Sequence, residues 1–239
     1  SFLAQDNGLV SADLAVATLF RTQTITKELA TMRSYLRQTH PVGTVSAIVR
    51  SSHADTGDFY AFEGIYTAPN FQHGELPYMT TGGGFRWTDA GTPIPAREES
   101  LRFRLTIPRG TLPAGGWPIA MYAHGTGGDY DSFSHGGSLS PARILAQRGI
   151  AAIGIDQPLH GARAEGKQFN VELASFNVFN PEAGRCAFRQ SAIDTFTLTW
   201  LLKQGRIAVP ASVSPTGAEM RLSKETILFV GHSHGGISG

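Results

Sequence analysis

The sequence predicts an α/β fold on a mostly parallel sheet, and three observations predict it. Nearly continuous apolar stretches at 117–123, 150–155 and 226–230 read as strands covered on both faces. Segments with helical spacing separate them, one opening at Ser140-Pro141 and one placing Ile193, Phe196, Trp200 and Leu201 on a single stripe. Glycine-rich turns follow the first and the last of these strands directly. Strand, helix, strand, helix, strand is the order that right-handed crossovers between parallel strands require.

Taken along the chain, Ile25, Leu29, Met32 and Leu36 predict an amphipathic helix over 25–38, closed by Pro41. Strands are expected around 44–51 and 59–67. Residues 68–96 are rich in Gly, Pro and Asn, with Gly82-Gly83-Gly84 and Thr92-Pro93-Ile94-Pro95, and read as a long surface connection. The expected boundary falls near Arg97. It divides an accessory helix and strands (1–96) from the first half of a catalytic unit (97–239). Beyond it, Leu101, Phe103, Leu105 and Ile107 alternate with Arg102, Arg104 and Thr106, as in a strand with one wet face. Ser140 supplies an N-cap, Pro141 a first-turn proline and Gly149 a stop for a short helix. The strand at 150–155 ends at Asp156. A long connection through His160 to Gly184 then leads to a helix over 188–204.

Composition narrows the function classes. The 239 residues are 41% hydrophobic and 16% charged with a net charge of +1, which offers no basic footprint for nucleic acid or an anionic membrane. No apolar run approaches the roughly 20 residues that cross a bilayer. The opening residues carry no signal-peptide pattern. Cys186 is the only cysteine, which excludes an intrachain disulfide or a cysteine-based zinc site.

The chemistry concentrates in Gly231-His232-Ser233-His234-Gly235. A serine on a tight strand-to-helix turn has its hydroxyl lifted above the sheet edge, and small residues two before and two after let strand and helix approach. The first N–H groups of the following helix then point at a reacting carbonyl. A serine in a glycine-rich turn is by itself weak evidence. The apolar strand before it, and a second glycine-rich loop at His124-Gly125-Thr126-Gly127-Gly128 after an earlier strand, make the pattern specific.

From about Leu101 onward the chain resembles the first half of an α/β hydrolase. Asp156-Gln157-Pro158-Leu159-His160-Gly161 and Phe188-Arg189-Gln190 are similar to patterns in bacterial secreted esterases and lipases, including the virulence-factor type. The resemblance implies the α/β-hydrolase fold and a serine esterase or lipase acting on a small-molecule or lipid ester without metal or organic cofactor. Ser233 would be the nucleophile, and the backbone N–H groups of His234 and Thr126 the oxyanion hole. His124, Gly125, Gly127, Gly231 and Gly235 would shape the loop and the elbow. A secreted, periplasmic or cell-surface location is implied as well.

In such enzymes the triad acid and histidine follow the nucleophile, whereas residues 234–239 alone follow Ser233 here. Both partners are therefore expected on a continuation of the polypeptide or on a second chain. His232 and His234 flank the serine but leave the turn in other directions. His124 and His160 are expected to hold loop backbone in shape. A metal site shared by His124, His160, Asp156 and His232 lacks any supporting spacing such as H-E-x-x-H. A non-catalytic binding protein on a hydrolase scaffold is the alternative to the enzyme. Cys186 reads as a small, partly buried residue, and Arg102 and Arg104 as a solvated strand face.

Overall fold

A computed structural model describes residues 26–39 and 43–239; Ile25 and Pro41, expected to open and close the first helix, lie outside the described residues. Helix α1 (Lys27–Gln38) buries Met32 and Leu36 against Phe71 and Ile193. The strands are β1 (Val49–Arg50), β2 (Phe59–Asn70), β3 (Arg86–Trp87), β4 (Pro93–Ile94), β5 (Arg97–Pro108), β6 (Trp117–Ala123), β7 (Ala151–Ile155), β8 (Ala208–Val209) and β9 (Met220–Gly231). Among the described residues, seven of them form one sheet in the order β1-β2-β5-β7-β6-β9-β8, and β3 and β4 pair separately. Strand β6 runs parallel to β7 and to β9, and β5 joins β7 antiparallel.

Helix α2 (Pro141–Ala146) lies on one face of the sheet and α4 (Pro181–Lys203) on the other. The alternation along β7 shows it: Ala152 packs with Ala142, Ala146 and Phe133, whereas Ala151 and Ile153 pack with Leu198, Leu201 and Leu202. Helix α2 begins as its sequence requires, with the Ser140 hydroxyl accepting from Arg143 N–H and proline at the first turn. Short α3 (Val171–Phe176) precedes α4, and α5 (Gly235–Ser238) follows β9.

Several expectations are corrected. The strand expected at 44–51 is reduced to a single bridge between Val45 and Tyr66 and the two residues of β1. Residues 68–96 are more than surface connection, since Phe71, Gln72 and Tyr78 are buried. The sheet itself runs across Arg97: β2 pairs with β5 from Phe59 opposite Pro108 to Asn70 opposite Arg97. Arg104 is not on a wet face. It is buried, with Glu63 at 2.8 Å and Asp131 at 3.1 Å. The later helix starts at Pro181 instead of 188, because the Asn180 side chain caps it by accepting from Ala183 N–H and Pro181 occupies its first turn. In β9 the apolar stretch is not covered on both faces among the described residues, where Leu228 and Val230 are exposed. There β9 pairs with β6 on one side, and β8 meets it only at Met220 and Arg221 on the other.

Candidate active site

The three parallel strands β6, β7 and β9 end on the same edge of the sheet. The sequence continues there as His124, Asp156 and His232-Ser233 respectively. Loops at this edge are where open α/β sheets place ligands.

Ser233 occupies the turn between β9 and α5 with φ at 51°, the left-handed region that a residue with a Cβ rarely adopts. Its neighbours permit that turn through their lack of side chains. A Cβ on Gly235 would stand 2.1 Å from the Ala123 carbonyl oxygen, and one on Gly231 would stand 2.6 Å from Gly236 Cα. His232 N–H donates to that same Ala123 oxygen at 3.0 Å, which ties the elbow to the end of β6. Gly236 and Ile237 N–H groups return to the Ser233 and His234 carbonyls and start the helix. The Ser233 side of the turn is exposed, while His234 and Gly235 are buried.

The loop after β6 lies against this elbow. A Cβ on Gly125 would meet His232 Nδ1 at 2.9 Å and Ser233 Cβ at 3.3 Å. Thr126 Oγ1 lies 3.5 Å from His234 Nδ1. The structure thus brings Ser233, His234, Gly125 and Thr126 together. Gly127, with φ at 81°, turns the loop at its exposed tip. The backbone N–H groups of Thr126 and His234 have no acceptor among the described residues.

His124 shapes the loop. Its Nε2 accepts from Gln157 N–H at 3.1 Å, so its Nδ1 carries the proton and donates to the Gly125 carbonyl at 2.8 Å. Burial lowers its pKa, which suits this neutral form. Gln157 completes the bracket by donating from its side chain to the His124 carbonyl while its Oε1 accepts from Ser191 and Ser238 hydroxyls. Through Ser238 it holds α5 as well. Asp156 is fully occupied: its carboxylate accepts from Arg102 at 2.5 Å, from Tyr130 N–H at 2.9 Å and from Ala162 N–H at 3.0 Å.

His160 donates from Nδ1 to the Pro158 carbonyl at 2.8 Å, leaving Nε2 buried without a partner. Its ring stands edge-on between those of His124 and His234, with centroids 4.9 and 5.3 Å away. Phe188 lies 4.4 Å and Phe176 5.8 Å from the His234 ring. Burial, with nearby His124 and Arg163 adding, pushes His160 down to about 4; burial and the two neighbouring imidazoles do the same to His234. Both are neutral at physiological pH. Among the described residues no three His, Cys, Asp or Glu side chains are grouped to hold a metal ion, and His124, His160, Asp156 and His232 form no such group. Cys186 is buried, and burial raises its thiol pKa.

This burial has a measurable consequence. An unfolded histidine takes up its proton near pH 6.5 and the folded His160 only near 4. The unfolded state therefore binds more protons across that window, and stability is lost as pH falls through it. The advantage in unfolding free energy of the parent over His160→Gln, from urea titrations, is expected to shrink between pH 7 and 4.5 by up to about 3 kcal/mol. An advantage independent of pH would contradict the buried neutral imidazole.

Beneath the loop of His160, Arg163 joins three segments. Its guanidinium lies 2.6 Å from Asp194, 2.7 Å from Glu99 and 3.2 Å from the Asp156 carbonyl oxygen. Burial raises the Asp194 carboxyl above the usual carboxylate range, and the adjoining Arg163 guanidinium pulls against that rise. Sequence reasoning missed Arg163 and Phe176, which sit in no local pattern that sets them apart, and it named Gln157 within its motif without a role.

Acetyl xylan esterase 1 from Thermoanaerobacterium sp. JW/SL YS485 superposes with a TM-score of 0.51 at 14% identity, covering 92% of this chain and 54% of that one. A putative acetyl xylan esterase from Bacteroides fragilis NCTC 9343 superposes with a TM-score of 0.50 at 13% identity, covering 89% and 47%. The chain has the α/β-hydrolase fold. It spans about half the length of both esterases. No protein-family model matches it, and no curated protein matches it by sequence, so the likeness is one of fold. Among the described residues no helix is long and apolar enough to cross a membrane.

Proposed function

We propose that the full protein is a serine hydrolase of carboxylic esters with Ser233 as nucleophile. The observation that carries the reading is the exposed Ser233 at φ 51° between β9 and α5, with the loop of Gly125 and Thr126 packed against it. A left-handed serine is a strained feature, and strain of this kind collects at sites of chemistry. The similarity of the fold to acetyl xylan esterase 1 and to a putative acetyl xylan esterase supports the same reading.

In the proposed reaction Ser233 Oγ attacks the ester carbonyl carbon and loses its proton to a general base. The Thr126 and His234 N–H groups stabilise the oxyanion, the alcohol leaves with the proton, and water hydrolyses the acyl-enzyme. The base and its carboxylate are proposed to come from polypeptide outside the described residues. His160 and His234 are buried and weakly basic, His124 has both ring nitrogens engaged, and Asp156 is saturated with donors. A lipase-like substrate and a location outside the cytoplasm follow the resemblance to bacterial secreted lipases and belong to the same proposal. The test is hydrolysis of p-nitrophenyl butyrate by the full-length protein, with and without Ser233→Ala. Turnover that survives the substitution would refute the assignment.

A further inference from the structure

The segment 173–179 is patterned inside out. Ser175 and Asn177 are fully buried, whereas Leu173 is 50%, Phe176 51%, Val178 72% and Phe179 67% exposed. Burying polar side chains while displaying four large apolar ones is the reverse of what solvent favours. The arrangement is nevertheless firmly built. Asn170 caps α3 by accepting from Leu173 N–H at 2.9 Å. Asn177 and Asn180 side chains both donate to the Tyr78 carbonyl at 2.9 Å, Asn180 donates again to the Gly82 carbonyl at 3.0 Å, and Asn177 Oδ1 accepts from Asn180 N–H at 3.0 Å. These bonds clamp the turn from beneath, so the apolar side chains are held outward by structure.

Four exposed large apolar side chains within seven residues, held outward by the fold, are the kind of surface that marks a binding site. Its location identifies the occupant. Leu173 and Phe176, three apart on α3, share one face. Phe176 packs against His234 and against Phe188, which itself stacks on His234. His234 is the residue directly after Ser233, and its N–H is the proposed oxyanion donor. Through Phe176 the segment therefore adjoins the residue that carries the proposed oxyanion donor, and it has no charged side chain between Leu173 and Phe179.

We propose that Leu173, Phe176, Val178 and Phe179 form the wall that receives the acyl chain of a single, monomeric ester, so that the enzyme prefers medium-length apolar acyl groups to acetate. This rests on the esterase reading above.

The test uses the full-length protein and p-nitrophenyl esters from acetate to hexanoate, each below its solubility limit. Partial burial of each added methylene is worth roughly a factor of two, so the parent is expected to favour hexanoate over acetate in kcat/KM by about tenfold. Phe176→Ala and Phe179→Ser should each cut that ratio several-fold. Phe179 is not among the ring partners of His234 and is largely exposed, so its variant keeps the test valid if Phe176→Ala fails to fold. A ratio unchanged in both variants, or in Phe179→Ser where it alone folds, would overturn the wall. So would activity that appears only when the ester aggregates, which would assign the surface to a lipid interface. Binding of hexanoic acid to the Ser233→Ala protein, read by calorimetry, separates the two claims. Binding that Phe179→Ser weakens, together with a parent protein that hydrolyses no ester, would sink the esterase reading and leave the wall standing.

Discussion

Ser233→Ala is expected to lower kcat/KM for p-nitrophenyl butyrate by about four orders of magnitude or more, while His232→Ala keeps measurable turnover. The magnitude follows from the role proposed for the hydroxyl. Without a nucleophile no acyl-enzyme forms, and the remaining catalysis comes from the oxyanion donors and substrate binding alone. Alanine is tolerated at this position no worse than serine, since both carry a Cβ in the same left-handed turn at φ 51°. The loss should therefore appear in turnover with an unchanged melting temperature. His232 lies beneath Gly125 and only its backbone N–H holds Ala123, a bond that survives substitution.

The second large effect is on stability. Arg163→Ala removes the cation between buried Asp194 and Glu99 and takes a hydrogen bond from the Asp156 carbonyl. Breaking a buried pair from one side strands the opposite charge in a medium that solvates it poorly, at a cost of about 3–5 kcal/mol. Glu99 retains Arg97 at 2.5 Å and Asn70 at 2.7 Å, and Asp194 retains only Gln190 at 2.8 Å. The stranded charge is therefore mainly Asp194. In a domain of this size the loss corresponds to a melting temperature lower by about 10 °C. Adding Asp194→Leu should recover part of it, because the stranded carboxylate is then gone. A fall of less than 1 kcal/mol in urea-derived stability for Arg163→Ala would show that the network is not what holds the loop of His160.

The elbow was legible in sequence because its requirements are local. Gly231 and Gly235 are forced by atoms that lie within a few residues or on the adjoining strand, and an apolar run before them marks β9. The loop at His124 to Gly128 was legible for the same reason. What sequence did not show is what depends on distant segments. Arg104 looked solvated because alternation along β5 describes one strand, and its burial is created by Glu63 on β2 and by Asp131 after β6. The ion pairs of Arg163 come from β5 and α4, far away in the chain. The apolar stripe places the start of helix α4 about two turns late, because Gly184 and Arg185 interrupt it and the start signal lies in Asn180-Pro181. The strand β2 was assigned to an accessory segment because its partner β5 lies beyond a Gly- and Pro-rich connection. The outward face of 173–179 contradicts hydrophobic patterning altogether, which is why only the structure exposes it.

Ser233 is proposed to be an activated nucleophile beside two oxyanion donors. An organophosphonate ester reports on both, since it reacts covalently only with an activated serine and its phosphoryl oxygen occupies the oxyanion position. Peptide mass spectrometry of the full-length protein after treatment with a fluorophosphonate is expected to find one adduct, on Ser233, in near-stoichiometric yield and lost on heat denaturation. Equal, slow labelling of several serines, or a protein left unmodified at Ser233, would contradict the account.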